Sequence, residues 1–169
     1  QTYGPASAKD IAHFFQAKQR SVHQWVKLLQ QQKKLCSVAC EGREELLLAA
    51  EDLDVLQVDA PEYSEAWPLR FLPLYDTMLM AHFDKSWTVP NAPEKKHVWR
   101  KAAHVMAVVL KRGRIVATWQ QKKKRNALQI EIHPMSLWST KRHKKAAFQE
   151  AEYVAVQQGY TNVEVSVAL

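Results

Sequence analysis

SVHQWVKLLQQQKKLCSVACEGREELLLA, residues 21–49, sets a helical pattern directly before a strand pattern. Val22, Trp25, Val26, Leu28 and Leu29 recur at helical spacing, which predicts a helix from Ser21 to about Gln32 with that stripe buried. Leu35 to Cys40 then reads as a strand, Glu41-Gly42-Arg43 as a turn, and Glu45 to Ala49 as the returning strand. Upstream, Pro5-Ala6-Ser7 followed by Asp10 reads as an N-cap and its reciprocal acid. Ile11, Phe14 and Phe15 form one apolar face of the helix they open. Glu51 to Leu56 reads as a short helical turn. Helix, short connection, helix and two-stranded wing make a winged helix-turn-helix. Such a domain normally has one more helix, and only Gln1-Thr2-Tyr3 precede Gly4-Pro5. The missing first helix is therefore expected upstream of Gln1.

Downstream, Pro61, Glu62, Ser64, Glu65 and Pro68 break all periodicity. The expected division is a winged-helix unit at 1–56, a linker at 57–69 and a C-terminal α+β domain at 70–169. In the last, Arg70 to Leu74 reads as a strand, Tyr75 to Met80 as helical or irregular, and His82 to Arg100 as a long polar connection. Ala103 to Leu110 and Arg114 to Gln120 read as strands joined by an Arg112-Gly113 turn. Lys122-Lys123-Lys124-Arg125-Asn126 reads as a second, basic turn. Leu128, Ile130 and Ile132 alternate with Gln129, Glu131 and His133 in the next strand. A helix from about Ser139 to Gln158 turns Ala146, Ala147, Ala151, Val154 and Ala155 inward and ends at Gly159. Val163, Val165 and Val167 form the last strand. The fold class is α+β: a partial winged helix-turn-helix, then a β-rich domain of mostly antiparallel strands with one long helix.

A hydrophobic share of 47% over 169 residues suits one domain or two small ones and argues against disorder. No apolar run approaches the roughly 18–20 residues a membrane helix needs, and no secretory leader opens the chain. Cys36 and Cys40 lie too far apart on one strand face to bridge easily and read as buried reduced thiols, as in a cytoplasmic protein. The seven histidines include no His-x-x-x-His or Cys-x-x-Cys pair, so no metal site is expected. Net charge is +7, unevenly spread: residues 1–69 carry −3 and residues 70–169 carry +10. A basic half beside an acidic half points to a surface facing a polyanion.

Arg20, Ser21, His23, Gln24 and Lys27 face outward near the start of the second helix, and Arg and Gln read guanine and adenine edges. Lys33 and Lys34 open the wing within reach of phosphate. Lys122, Lys123, Lys124 and Arg125 form the projecting cationic tip. Lys141 and Arg142, with His143-Lys144-Lys145, open the long helix against its dipole, a cost that suggests use. Asp76, His82, Asp84 and Glu131 are the candidate acids and bases. A carboxylate that caps nearby backbone amides is the plainer role for either aspartate.

Four stretches carry a family likeness. Tyr3-Gly4-Pro5-Ala6-Ser7 followed by Asp10 resembles the Tyr-Gly-Pro-Ala-Thr segment opening the last winged helix of AlkZ/YcaQ-like winged-helix DNA glycosylases. Phe71-Leu72-Pro73-Leu74-Tyr75-Asp76 resembles that family's Leu-Leu-Pro-x-Phe-Asp, and Ala81-His82-Phe83-Asp84-Lys85-Ser86 its Ser-His-x-Asp-Arg-Ser/Thr. Gly113-Arg114-Ile115-Val116-Ala117-Thr118-Trp119 is similar to its Gly-x-Val-x-Gly-Thr-Trp strand. Lys85 stands for the usual Arg and Ala117 for the usual Gly; the first keeps charge but not fork geometry. The resemblance implies tandem winged helices with a small β-rich domain, and metal-free excision of alkylated bases or unhooking of crosslinks. The family's catalytic Gln-x-Gln or Gln-x-Asp motif has no counterpart here, since Gln30-Gln31-Gln32 does not match its context.

The chain is thus expected to be the C-terminal, duplex-DNA-binding portion of a glycosylase-like repair protein, nucleoid-associated in the cytoplasm, with no cofactor and no membrane contact. Its expected partners are double-stranded DNA and the missing N-terminal half of the same protein. Asp76, His82 and Asp84 are expected to face a cleft shared with that half. The alternatives are a non-enzymatic winged-helix DNA-binding or regulatory protein, and a module whose basic face meets an acidic protein.

Overall fold

Ser7 caps the first helix as its spacing predicts. In the computed structural model, which describes residues 4–40, 42, 45–59 and 67–168, α1 spans Ala8–Phe15 with a reciprocal capping box between Ser7 and Asp10. Helix α2 spans Gln19–Gln31, starting two residues before the expected Ser21. Strands β1 (Leu35–Val38) and β2 (Leu46–Ala49) pair antiparallel, and a 3₁₀ turn at Ala50–Gln57 follows. Ala6 extends this small sheet by bridging to Leu47. Glu41 and Arg43 of the expected turn, Gln1-Thr2-Tyr3, and Pro61, Glu62, Ser64 and Glu65 of the expected linker lie outside the described residues.

The expected buried stripe of α2 is only half realised. Val22 is fully buried, but Trp25 is 46% and Leu28 53% exposed, and Leu29 is exposed too. Phe14 and Phe15 on α1 are likewise exposed. Helical periodicity tells which residues share a face, not what covers it. Here α2 packs chiefly on α1 and β1, which reach only the Val22 side. The cysteines depart as well: Cys36 is half-buried in β1, while Cys40 lies beyond the strand and is exposed.

The chain divides into two units, 1–60 with 77–84, and 61–76 with 85–169. Helix α3 (Thr77–Ala81), read from sequence as part of the later domain, belongs to the first unit, where Leu79 and Ala81 are buried.

The second unit is built on a five-stranded sheet of order β3-β4-β5-β6-β7. The strands are β3 (Arg70–Leu72), β4 (Val108–Lys111), β5 (Arg114–Lys123), β6 (Ala127–Pro134) and β7 (Asn162–Val167). A 3₁₀ turn at Ala92–Glu94 and α4 (Lys95–Val98) lie within the expected long polar connection. Helix α5 (Thr140–Gln157) crosses from β6 to β7. That crossover sets β7 parallel to β6, while every other pair is antiparallel. Leu128, Ile130 and Ile132 meet Ala147, Ala151 and Ala155 of α5 in one core with Phe71 and Trp119. The Trp119 indole N–H donates to the Leu72 carbonyl at 2.9 Å and ties β5 to the edge strand. At its far end α5 stops in a Schellman motif: Gly159 takes φ +80°, and Tyr160 N–H donates to Ala155 O.

Candidate nucleic-acid interface

The cationic run of residues 122–125 sits where two long strands meet. Lys122 and Lys123 are the last residues of β5 rather than turn residues, and 124–126 make the connection to β6. All four cations are exposed. Lys124 Nζ lies 3.3 Å from Glu164 on β7, and Gln129 donates to the same carboxylate. The Gln129 hydrogen bond, then Lys124, hold Glu164 below the usual carboxylate range. One of the four charges is therefore partly answered by an acid of the protein.

The second basic block lies at the other end of α5. Lys141 and Arg142 are exposed in its first turn, whereas Gln158 beyond its last turn exchanges two hydrogen bonds with Gln121 beside the hairpin. A helix of 18 residues is roughly 27 Å long, so the two blocks are not one patch. Ser139 supplies no side-chain cap for this helix. Its backbone N–H instead donates to His143 Nδ1 at 3.1 Å, which requires an unprotonated nitrogen there. Burial, then the charges of Arg142 and Lys111, push the His143 pKa down and favour that neutral form.

In the first unit, Arg20, His23, Gln24 and Lys27 are exposed along α2 and Ser21 is half-buried. His23 Nδ1 donates to the Gln19 carbonyl at 2.7 Å, leaving Nε2 as its outward atom.

The acid–base candidates are not brought together within one unit: His82 and Asp84 fall in the first and Asp76 in the second. His82 Nδ1 lies 3.7 Å from Asp10 Oδ2. Asp10 also accepts from Ser7 N–H at 2.8 Å, Ser7 Oγ at 2.7 Å and Phe83 N–H at 2.6 Å. Burial raises its pKa, but the Ser7 and Phe83 hydrogen bonds and His82 outweigh that and leave it lowered. Asp10 thus joins the start of α1 to the segment after α3. Its spacing from Ser7 announced only the cap; the bond to Phe83, 73 residues away, has no local signal. Glu131 receives a hydrogen bond from Gln120, whose amide nitrogen also lies 3.0 Å from His133. Among the described residues no group of three or more His, Cys, Asp or Glu is arranged to hold a metal. None of the described helices is long and apolar enough to cross a membrane.

A family profile described as DNA glycosylase AlkZ-like matches residues 1–156. The chain belongs to the AlkZ-like DNA glycosylase family. The solved structure of Streptomyces sahachiroi DNA glycosylase AlkZ is similar, with a TM-score of 0.81 and 21% sequence identity. The match covers 98% of this chain and 42% of that one, so this chain spans less than half the length of its structural relative. That likeness shows the shared mixed α+β fold. No curated protein matches the chain.

Proposed function

We propose that this AlkZ-like chain is the duplex-DNA-binding portion of a winged-helix, glycosylase-like repair protein that acts on alkylated or crosslinked DNA. The observation that carries this reading is the exposed cationic end of the β5–β6 hairpin, Lys122, Lys123, Lys124 and Arg125, on a member of this family. Four such cations displace counterions from phosphate, which favours any duplex whatever its sequence. Helix α2, with Arg20, Ser21, His23, Gln24 and Lys27, acts as the groove-facing helix of the winged unit. Lys141 and Arg142 supply further phosphate contacts. Excision of the base belongs to residues of the whole protein outside this chain, and His82 and Asp84 of the first unit face the cleft that unit shares with them. The protein acts on the nucleoid in the cytoplasm.

The test is fluorescence anisotropy with a labelled duplex, comparing the chain with a variant in which Lys122, Lys123, Lys124 and Arg125 are all changed to Glu. The variant is expected to lose binding at low salt, and the parent's log–log salt slope to include about −0.9 for each phosphate neutralised. Equal binding by the two proteins contradicts the reading. Excision of an alkylated base by the whole protein separates the enzyme from a purely DNA-binding relative.

A further inference from the structure

A second cationic feature lies on the second unit, away from the hairpin. The edge strand β3 and one stripe of α5 enclose an open groove of about 830 Å³. Arg142, Lys145, Gln149 and Tyr153 recur on one helical face and form one wall; Arg70 of β3 and Lys111 of β4 contribute from the sheet side. Four cations line it against one carboxylate, Glu150. That carboxylate is itself engaged: Glu150 accepts from Arg70 Nη1 at 2.9 Å and Phe71 N–H at 3.4 Å, holding the guanidinium in place. Lys111 Nζ is held by the Trp67 carbonyl at 2.7 Å. Next door, burial first and then the charges of Arg142 and Lys111 lower the His143 pKa.

We propose that this groove holds an unpaired DNA strand. The proposal rests on the reading that this chain binds DNA and adds which form of DNA a particular surface takes. A volume of about 830 Å³ falls within the roughly 300–1,000 Å³ that enclose a drug-sized ligand, so it admits a short run of one strand but not a double helix. Cations on both sides neutralise a phosphodiester from two directions. Tyr153 is 59% exposed in the wall, offering a flat ring on which an unstacked base can lie. Ala146 and the Tyr153 ring give the groove an apolar part that a bare phosphate does not need but a nucleotide uses.

The experiment compares a blunt labelled duplex with the same duplex bearing a short single-stranded tail. The tail is expected to tighten binding by about tenfold, the scale of one good base–aromatic stack with its phosphate contacts. Arg142→Glu with Lys145→Glu should remove that gain. Both side chains are exposed, and an acid in the first turn suits the helix dipole, so the pair should remain folded. Tyr153→Ala should cut the gain and Tyr153→Phe keep it. A single hairpin reversal, Lys123→Glu, should weaken both duplexes and leave their ratio unchanged. Equal affinity for tailed and blunt duplex, or a gain that survives in the Arg142/Lys145 variant, overturns this proposal alone. Absence of binding to either duplex overturns it together with the reading beneath it. Poly-glutamate removing the tail's advantage as well as an unlabelled single strand does would also overturn it, in favour of an acidic polypeptide.

Discussion

Asp10 gathers the Ser7 and Phe83 backbone donors and the Ser7 hydroxyl on one side chain that is nearly excluded from water. Asp10→Ala leaves both part-buried N–H groups without their acceptor, at about 1 kcal/mol or more for each. Ser7→Ala removes only the cap, about 1 kcal/mol. Thermal unfolding should therefore rank Asp10→Ala well below Ser7→Ala, and equal shifts would show that Phe83 does not depend on Asp10. Since the folded-state pKa is lowered, this carboxylate's stabilisation is present above the ordinary value of 3.8 and is lost as pH falls through the depressed one. Glu164 offers a second residue-scale prediction. Glu164→Gln releases Lys124 and removes a negative charge beside the hairpin, so duplex affinity at low salt should rise about two- to fivefold, the worth of one exposed ion pair. Anisotropy titration checks it, and unchanged affinity means Lys124 does not face the DNA. At this scale the cap was legible because its partners lie three residues apart; the bond to Phe83 was not, because no period or motif links the two positions.

Helix α5 begins on an imidazole rather than on a Ser, Thr or Asp cap. Because the His143 pKa is lowered in the fold, the unfolded chain takes up a proton first as pH falls. Stability contributed at this site is intact above the ordinary 6.5 and declines as pH drops below it towards the depressed folded value. Melting temperatures between pH 7.5 and 5.5 should fall more in the parent than in His143→Gln; parallel curves would show that the ring does not govern the start of α5. The β4–β5 connection is a two-residue turn in which Arg112 and Gly113 both take positive φ, +48° and +73°. Gly113→Ala should cost about 1 kcal/mol in chemical denaturation, and Arg112→Asn should stabilise slightly, since Asn tolerates that region better. The Arg-Gly pair made this turn readable from sequence, as Leu128, Ile130 and Ile132 did for β6. The alternation of Val163, Val165 and Val167 is the same in either direction, so the parallel placement of β7 is announced only by the helix that intervenes between it and β6. The exposure of Trp25 and Leu28 was not readable, since it depends on which elements pack against α2.

For the whole molecule, the charge falls at two separate places on the second unit. The basic excess of residues 70–169 is carried at the hairpin end of the sheet and at the start of α5, roughly a helix length apart. Family membership was legible from four short motifs, and the mixed α+β architecture from alternation and turn chemistry. The grouping of 77–84 with the first unit was not, since a five-residue helix says nothing of which core receives Leu79. Whether this chain meets duplex DNA through the β5–β6 hairpin is read out by following backbone amide NMR signals while a short duplex is titrated in at low salt. Saturable shifts concentrated at Lys122, Lys123, Lys124 and Arg125 that fade as salt is raised are expected. Saturable shifts confined to other surfaces, with these four amides unmoved, would contradict that contact.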